Sequence, residues 1–193
     1  MDNRDIPVKI EERTRYYPHT KSTVKAFVKE FPNRELKVLD IGARDGYAVE
    51  LLAKKGYKVL GTELVKKFVE FAQKKGRDVI FDDAMDTKIT KKFDVIYSRH
   101  CLEHCRDTLQ FFETCKKLLN NKGSVFITFH LETKKQFYAR KFPGLQHMVY
   151  YKNKDAFRKI TEETNFKEVY FGKAKRMGII PDRKEMLFVG RLK

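Results

Sequence analysis

Cysteine is scarce in this chain. Its three cysteines form an odd set with no paired Cys-x-x-Cys signature, which excludes a disulfide framework. Long apolar runs are absent too, so no segment reaches the ~20 residues of a membrane-spanning helix. The polar, charged N-terminus lacks the apolar region of a signal peptide. Internal repeats and low-complexity tracts are also missing. These absences lead to the expectation of a soluble, cytoplasmic protein, with one domain over 1–193 long enough to bury a sizeable core. Acidic residues are outnumbered, 26 against 42 Lys and Arg, for a net charge of +16. Such an excess permits long-range attraction to nucleic acid, acidic protein or an anionic membrane, while lysine richness can equally be a background of composition.

What is present is an alternation of strand and helix patterns. Short apolar runs predict strands at Lys37–Ile41, Lys58–Glu63, Asp78–Phe81, Phe93–Ser98, Ser124–Phe129, Lys167–Phe171 and Met186–Arg191. Amphipathic spacing predicts helices at Tyr47–Lys55, Val65–Lys75, Thr108–Leu119 and Asp155–Thr164, with an earlier one over Ser22–Phe31 that stops before Pro32. The expected fold is therefore α/β: a doubly wound, mostly parallel seven-stranded sheet with helices on both faces. The last two strands follow each other across a polar loop, which predicts a C-terminal antiparallel hairpin. Residues 1–35 read as an N-terminal cap segment.

The densest signal is Val38-Leu-Asp-Ile-Gly-Ala-Arg-Asp-Gly-Tyr47, followed after one helix by Val59-Leu-Gly-Thr-Glu63. A strand, a glycine turn, a helix and a second strand ending in a carboxylate describe a nucleoside-binding βαβ unit. Glycine lets the backbone approach a ligand closely, and a carboxylate accepts both hydrogen bonds of a ribose diol. A dinucleotide fingerprint needs three glycines, whereas Arg44 and Tyr47 stand at two of those positions. Asp40 and Asp45 would repel a pyrophosphate but suit an amino group, which disfavours a nicotinamide oxidoreductase.

The stretch resembles motif I of the class I S-adenosylmethionine-dependent methyltransferases, usually D-x-G-x-G-x-G. It keeps Asp40, Gly42 and Gly46 and departs at Arg44. That resemblance, which covers residues 36–129 best, implies S-adenosylmethionine as cofactor and assigns site residues along the strand ends. Backbone groups of Gly42 and Ala43 would face its methionine part, and Asp40 would orient the loop or reach the amino group. Glu63, about 17 residues after Gly46, would bind the ribose, while Leu64 or Val65 covers an adenine face. In Phe81-Asp82-Asp83-Ala84, Asp83 and the neighbouring Ala84 would meet the adenine edge. The fourth strand runs into Ser98-Arg99-His100, where the methyl group would meet its acceptor. Ser98 then counts as a cofactor contact and His100 as the candidate general base, since an ordinary histidine titrates near ~6.5.

Two features bear on the acceptor. The run His100-Cys-Leu-Glu-His104 resembles the E-x-x-E-H set of small-RNA 2′-O-methyltransferases, with His130 or His147 able to complete a divalent metal site. The same Glu103 and His104 also fix this turn in relatives that use no metal. The reading adopted is metal-free catalysis, with Cys101 and Cys105 as small semi-buried groups. The stretch 130–154 is rich in aromatic and basic residues, so it either shapes an acceptor pocket, nucleic acid included, or covers a sheet edge. The chain lacks the Asn-Pro-Pro-Tyr loop of amino-directed DNA methyltransferases and the Pro-Cys nucleophile of cytosine C5 chemistry. Acceptor and oligomeric state stay open, and a non-catalytic cofactor-binding subunit is the rival from another class.

Overall fold

The computed structural model describes residues 17–105, 107–130, 154–181 and 185–193. Seven strands make one sheet: β1 Lys37–Ile41, β2 Lys58–Glu63, β3 Val79–Phe81, β4 Phe93–Arg99, β5 Leu119–His130, β6 Phe166–Lys173 and β7 Glu185–Leu192. Their spatial order is β3-β2-β1-β4-β5-β7-β6. Pairings from β3 through β5 are parallel, whereas β7 runs antiparallel to both β5 and β6. The predicted mostly parallel sheet and C-terminal hairpin are thus observed, with β7 inserted between β5 and β6.

Alternation along β1 explains how the layers form. Val38 packs on one face with Phe27 of helix α1 (Tyr17–Glu30) and with Ala48 and Leu52 of α2 (Tyr47–Ala53). Leu39 and Ile41 point the other way, into a phenylalanine-rich core with Phe111 and Phe112 of α4 (Thr108–Leu118) and Phe157 of α5 (Lys154–Glu163). The short helix α3, Lys66–Lys74, packs Val69 and Ala72 against Val49 and Val79. By the same period of two, Asp40 shares the face of Val38 and is buried opposite Tyr97.

Two boundaries differ from expectation. Within the described residues helix α1 already runs from Tyr17, ahead of the expected Ser22, and takes in Pro18. Strand β5 begins at Leu119 rather than Ser124. Its first residues carry an irregularity around Lys122 (φ 62°), and the register against β4 jumps from Phe93↔Leu119 to Val95↔Ser124. The stretch 131–153, expected to shape an acceptor pocket, lies outside the described residues.

Candidate active site

The carboxyl ends of β1, β2 and β4 meet at the glycine turn, where an open α/β sheet binds ligands. Gly42 is left-handed (φ 77°), and a Cβ there would stand 2.5 Å from the Cβ of Cys101 and 2.7 Å from its sulfur. Glycine is therefore required both by conformation and by close packing against the turn after β4. Arg44 adopts φ 55°, the region a glycine would occupy, so the turn keeps its path despite the departure from the motif. The N–H groups of Gly42 and Ala43 both donate to the Thr62 carbonyl, at 2.9 and 2.8 Å, which staples the turn to β2. The Ala43 carbonyl accepts the Gly46 N–H at 2.9 Å, which closes the turn.

Glu63 ties the same elements together. One carboxylate oxygen accepts the N–H of Leu64 and of Val65, each at 2.9 Å, and the other accepts the Arg44 N–H at 2.9 Å. Burial holds its carboxyl above the ordinary range, opposed by those backbone donors and by the Arg44 charge. Asp40, only 2 % exposed, is pushed up to about 8 by burial first and then by the nearby charges of Glu63 and Asp45, with Arg99 opposing. At neutral pH this carboxyl holds its proton until a cation comes beside it.

After β3, Asp83 accepts the Met85 N–H at 2.8 Å and forms a tight turn, while Ala84 packs against the core. Asp82 instead accepts from the Lys88 backbone, at 3.0 Å. Leu64 is half-buried beside Glu63. The cap position of α2 is occupied by Gly46, and Asp45 receives the Tyr47 N–H at 3.4 Å.

The end of β4 is different in kind. Ser98 is fully buried and its hydroxyl donates to the Ile41 carbonyl at 2.9 Å, so it joins β4 to β1 beneath the site. His100, left-handed at φ 52°, sits between two acids. Its Nδ1 lies 2.9 Å from Glu103 Oε1 and its Nε2 lies 3.2 Å from Glu185 Oε1, while its ring stacks on His130 at 4.4 Å. Burial alone pulls an imidazole down, but Glu103 and then Glu185 outweigh it and raise His100 to about 9. His100 is consequently an imidazolium at neutral pH, not the histidine of ordinary value anticipated from sequence. Burial would raise Glu103 in turn, yet His100 and His130 bring it down to about 2.

Glu103 Oε1 also accepts the His130 N–H at 2.8 Å, whereas its buried Oε2 has no hydrogen-bond partner among the described residues. Donor atoms of His100, Glu103 and His130 lie within 4.8 Å of one another, a spacing that fits a divalent ion. His104 is exposed and stands outside that group, and His147 lies outside the described residues. Cys105 is buried and Cys101 half-buried, and neither joins the group.

The family profile described as "Methyltransferase domain" matches residues 12–170. The chain belongs to the class I S-adenosylmethionine-dependent methyltransferases. Among curated proteins it is similar to a ubiquinone biosynthesis O-methyltransferase of Pelagibacter ubique, 33% identical over 112 residues, 55% of this chain and 47% of that protein. The mitochondrial ubiquinone biosynthesis O-methyltransferase of Homo sapiens is 27% identical over 119 residues, 52% of this chain and 32% of that one. This methyltransferase thus spans less than half the length of these relatives. Among solved structures, magnesium protoporphyrin IX methyltransferase from Synechocystis PCC 6803 with bound S-adenosylhomocysteine superposes with a TM-score of 0.69 at 18% identity, covering 98% of this chain and 90% of that one. A Haemonchus contortus phosphoethanolamine N-methyltransferase with S-adenosylmethionine gives 0.71 at 18% identity, covering 89% and 52%. At such identities these structures establish the fold.

Sequence reasoning did not single out Glu185, which heads β7 directly opposite His130. Its one signal is an acid at the edge of an otherwise apolar strand, next to a loop read as polar. Among the described residues no helix of the methyltransferase is long and apolar enough to cross a membrane.

Proposed function

We propose that this methyltransferase moves the methyl group of S-adenosylmethionine to an oxygen of a small phenol- or quinol-type acceptor. The observation that carries the reading is the convergence of Asp40, the Gly42–Gly46 turn and Glu63 at one crevice, in a chain whose curated relatives are named as O-methyltransferases. In this reading Asp40 receives the cofactor's ammonium group, Glu63 its ribose hydroxyls, and the Asp83–Ala84 turn its adenine edge. The sulfonium methyl then faces the end of β4.

An acceptor oxygen lone pair forms the new bond to carbon as the carbon–sulfur bond breaks, and sulfur keeps the pair as a neutral thioether. Alignment supplies most of the acceleration, since the leaving group is already good. The hydroxyl proton goes to His100 once the ring has lost one of its two protons, the accepting atom being the nitrogen that then turns from Glu103 or Glu185. With its value near 9, that base is free in about one molecule in a hundred at pH 7, so the rate should climb about tenfold per pH unit up to that value. The test is incubation with methyl-labelled cofactor and a panel of catechols, hydroxybenzoates and short-chain quinols, with products identified by mass spectrometry. Methyl ether formation supports the proposal; label on RNA alone, or on none of them, refutes it.

A second reading is favoured by the partnerless Glu103 Oε2 beside His100 and His130. There, those three residues would hold a divalent ion, which supplies Lewis acidity toward vicinal hydroxyls, as in metal-dependent RNA 2′-O-methyltransferases. Exhaustive chelation separates the two readings. Full activity in chelator supports the metal-free route, and loss with rescue by Mg²⁺, Mn²⁺ or Co²⁺ supports the second.

A further inference from the structure

Helix α1 is anchored and aimed by different parts of its length. Its middle is set in the core, where Phe27 is fully buried and meets Tyr57, Tyr97 and Phe126 edge-on. Along the same helix, Ser22 accepts the Ile180 N–H at 2.8 Å, and His19 Nδ1 lies 3.0 Å from the Ile180 carbonyl. Its first residue, Tyr17, reaches elsewhere. The Tyr17 hydroxyl donates to Asp45 Oδ2 at 3.0 Å, and its ring stacks on Tyr47 at 3.8 Å and 19°.

Asp45 is no ordinary surface acid. It lies in the Gly42–Gly46 turn and close enough to Asp40 to raise that carboxyl. On its other side is Arg77, whose side chain is 8 % exposed. The Arg77 guanidinium donates to the Asp45 carbonyl at 2.7 Å, lies 3.7 Å from Asp45 Oδ2, and sits 5.6 Å from the Tyr47 ring centroid. The same group is paired with Glu50 of α2 at 2.7 Å. A continuous stack of Tyr17, Tyr47 and Arg77 therefore braces one carboxylate of the turn, 28 residues away from Tyr17 in sequence.

We propose that Tyr17 is a positioning residue for the amino-acid end of the cofactor: by holding Asp45, it fixes the turn against which the ammonium and carboxylate groups of S-adenosylmethionine are placed. This rests on the cofactor assignment above. It accounts for why an aromatic hydroxyl at the head of α1 is directed at the turn while the body of the helix is secured independently. The adenosine half, assigned to Glu63 and the Asp83 turn, meets this brace only through the Arg44 N–H that Glu63 accepts. The two halves of the ligand should then respond differently when the brace is cut.

The test compares S-adenosylhomocysteine with 5′-methylthioadenosine, which lacks the amino-acid end, by calorimetry on the full chain. Tyr17→Phe keeps the ring stack and removes the hydroxyl, and Asp45→Asn keeps the shape and removes the charge. Each variant should bind S-adenosylhomocysteine about tenfold more weakly, equivalent to about 1.4 kcal/mol. Affinity for 5′-methylthioadenosine should stay within about twofold, and the melting temperature of Tyr17→Phe should not move. Equal weakening of both ligands, or of neither, overturns the positioning role while leaving the cofactor assignment standing. Wild-type protein that binds neither ligand overturns the assignment and the role together.

Discussion

Asp40 offers the sharpest separation of function from stability. Its carboxyl is 2 % exposed and raised to about 8, with burial as the main cause and the Glu63 and Asp45 charges adding to it. An acid whose folded value lies above its unfolded value binds more protons folded than unfolded in the window between the two. Stability therefore falls as pH rises from about 4 to about 8. At pH 7 a shift of this size corresponds to about 4 kcal/mol of linked destabilisation. Asp40→Asn cannot ionise and escapes the linked loss, although its amide still has to be desolvated. A net gain of about 2 kcal/mol would raise the melting temperature of the cofactor-free protein by about 4–8 °C at pH 7. The gain should shrink as pH falls and reverse near pH 4, where the linked loss of wild type is almost gone but the amide's desolvation cost remains. On the proposed assignment of the ammonium group to Asp40, the same variant should lose binding of S-adenosylmethionine, whereas wild-type affinity should rise with pH up to about 8. Melting curves of both proteins between pH 4 and 9 decide the matter. A variant less stable at pH 8, or a difference flat across pH, refutes the reasoning that Asp40 is kept for the ligand at the expense of the fold.

Glu63→Gln should weaken S-adenosylhomocysteine binding tenfold or more by calorimetry. It replaces a charged acceptor of three backbone N–H groups, and such bonds carry about 1.5–3 kcal/mol each. Gly42→Ala should lower the melting temperature by several degrees, since its Cβ meets Cys101 at 2.5 Å from a left-handed backbone. Cys101→Gly in the same chain should recover part of the loss in a thermal melt, and no recovery would place the strain elsewhere. If the positive charge serves a nucleic-acid acceptor, binding to RNA should weaken steeply between 50 and 200 mM salt in an anisotropy titration, because phosphate contacts release counterions. Salt-insensitive binding, or none, leaves the charge as background.

The sheet was legible because β1, β2 and β4 are near-continuous apolar runs ending in Gly42, Glu63 and Arg99, a pattern set locally by burial on both faces. The glycine turn was legible for the same local reason, and Arg44 bends as a glycine would. What was hidden is non-local. Glu185 reaches His100 only because β7 inserts antiparallel beside β5, 55 positions along the chain from His130, which it pairs. Tyr17 meets Asp45 only through the packing of α1 onto α2. The raised value of His100 rests first on Glu103 and then on the acid that this insertion brings. One acid three residues away was visible in sequence, but the second acid came from the other end of the chain. The start of β5 was obscured by Asn120–Gly123, polar residues in a turn-like stretch that nevertheless continues the strand.

The charge pattern of the methyltransferase unites these details. In a chain carrying +16, the buried acids among the described residues are Asp40, Glu103 and Glu185, each at most 4 % exposed, with Glu63 half-buried. Burying carboxylates is unfavourable: burial raises both Asp40 and Glu63, with the neighbouring charges adding to it at Asp40, while Glu103 is brought down by His100. A fold selected for stability alone would fill these positions with apolar side chains, as it does at Val38 and Leu39 on the same strand. For Glu103 and Glu185 the completing cation is His100 itself, whereas for Asp40 and Glu63 a ligand has to bring it. S-adenosylmethionine brings two positive centres, the ammonium and the sulfonium, into a crevice whose acids stand at the ends of neighbouring strands. After methyl transfer the sulfonium charge is gone, so the product loses part of the attraction that held the substrate. The same acids that draw the cofactor in therefore favour its exchange for the next one.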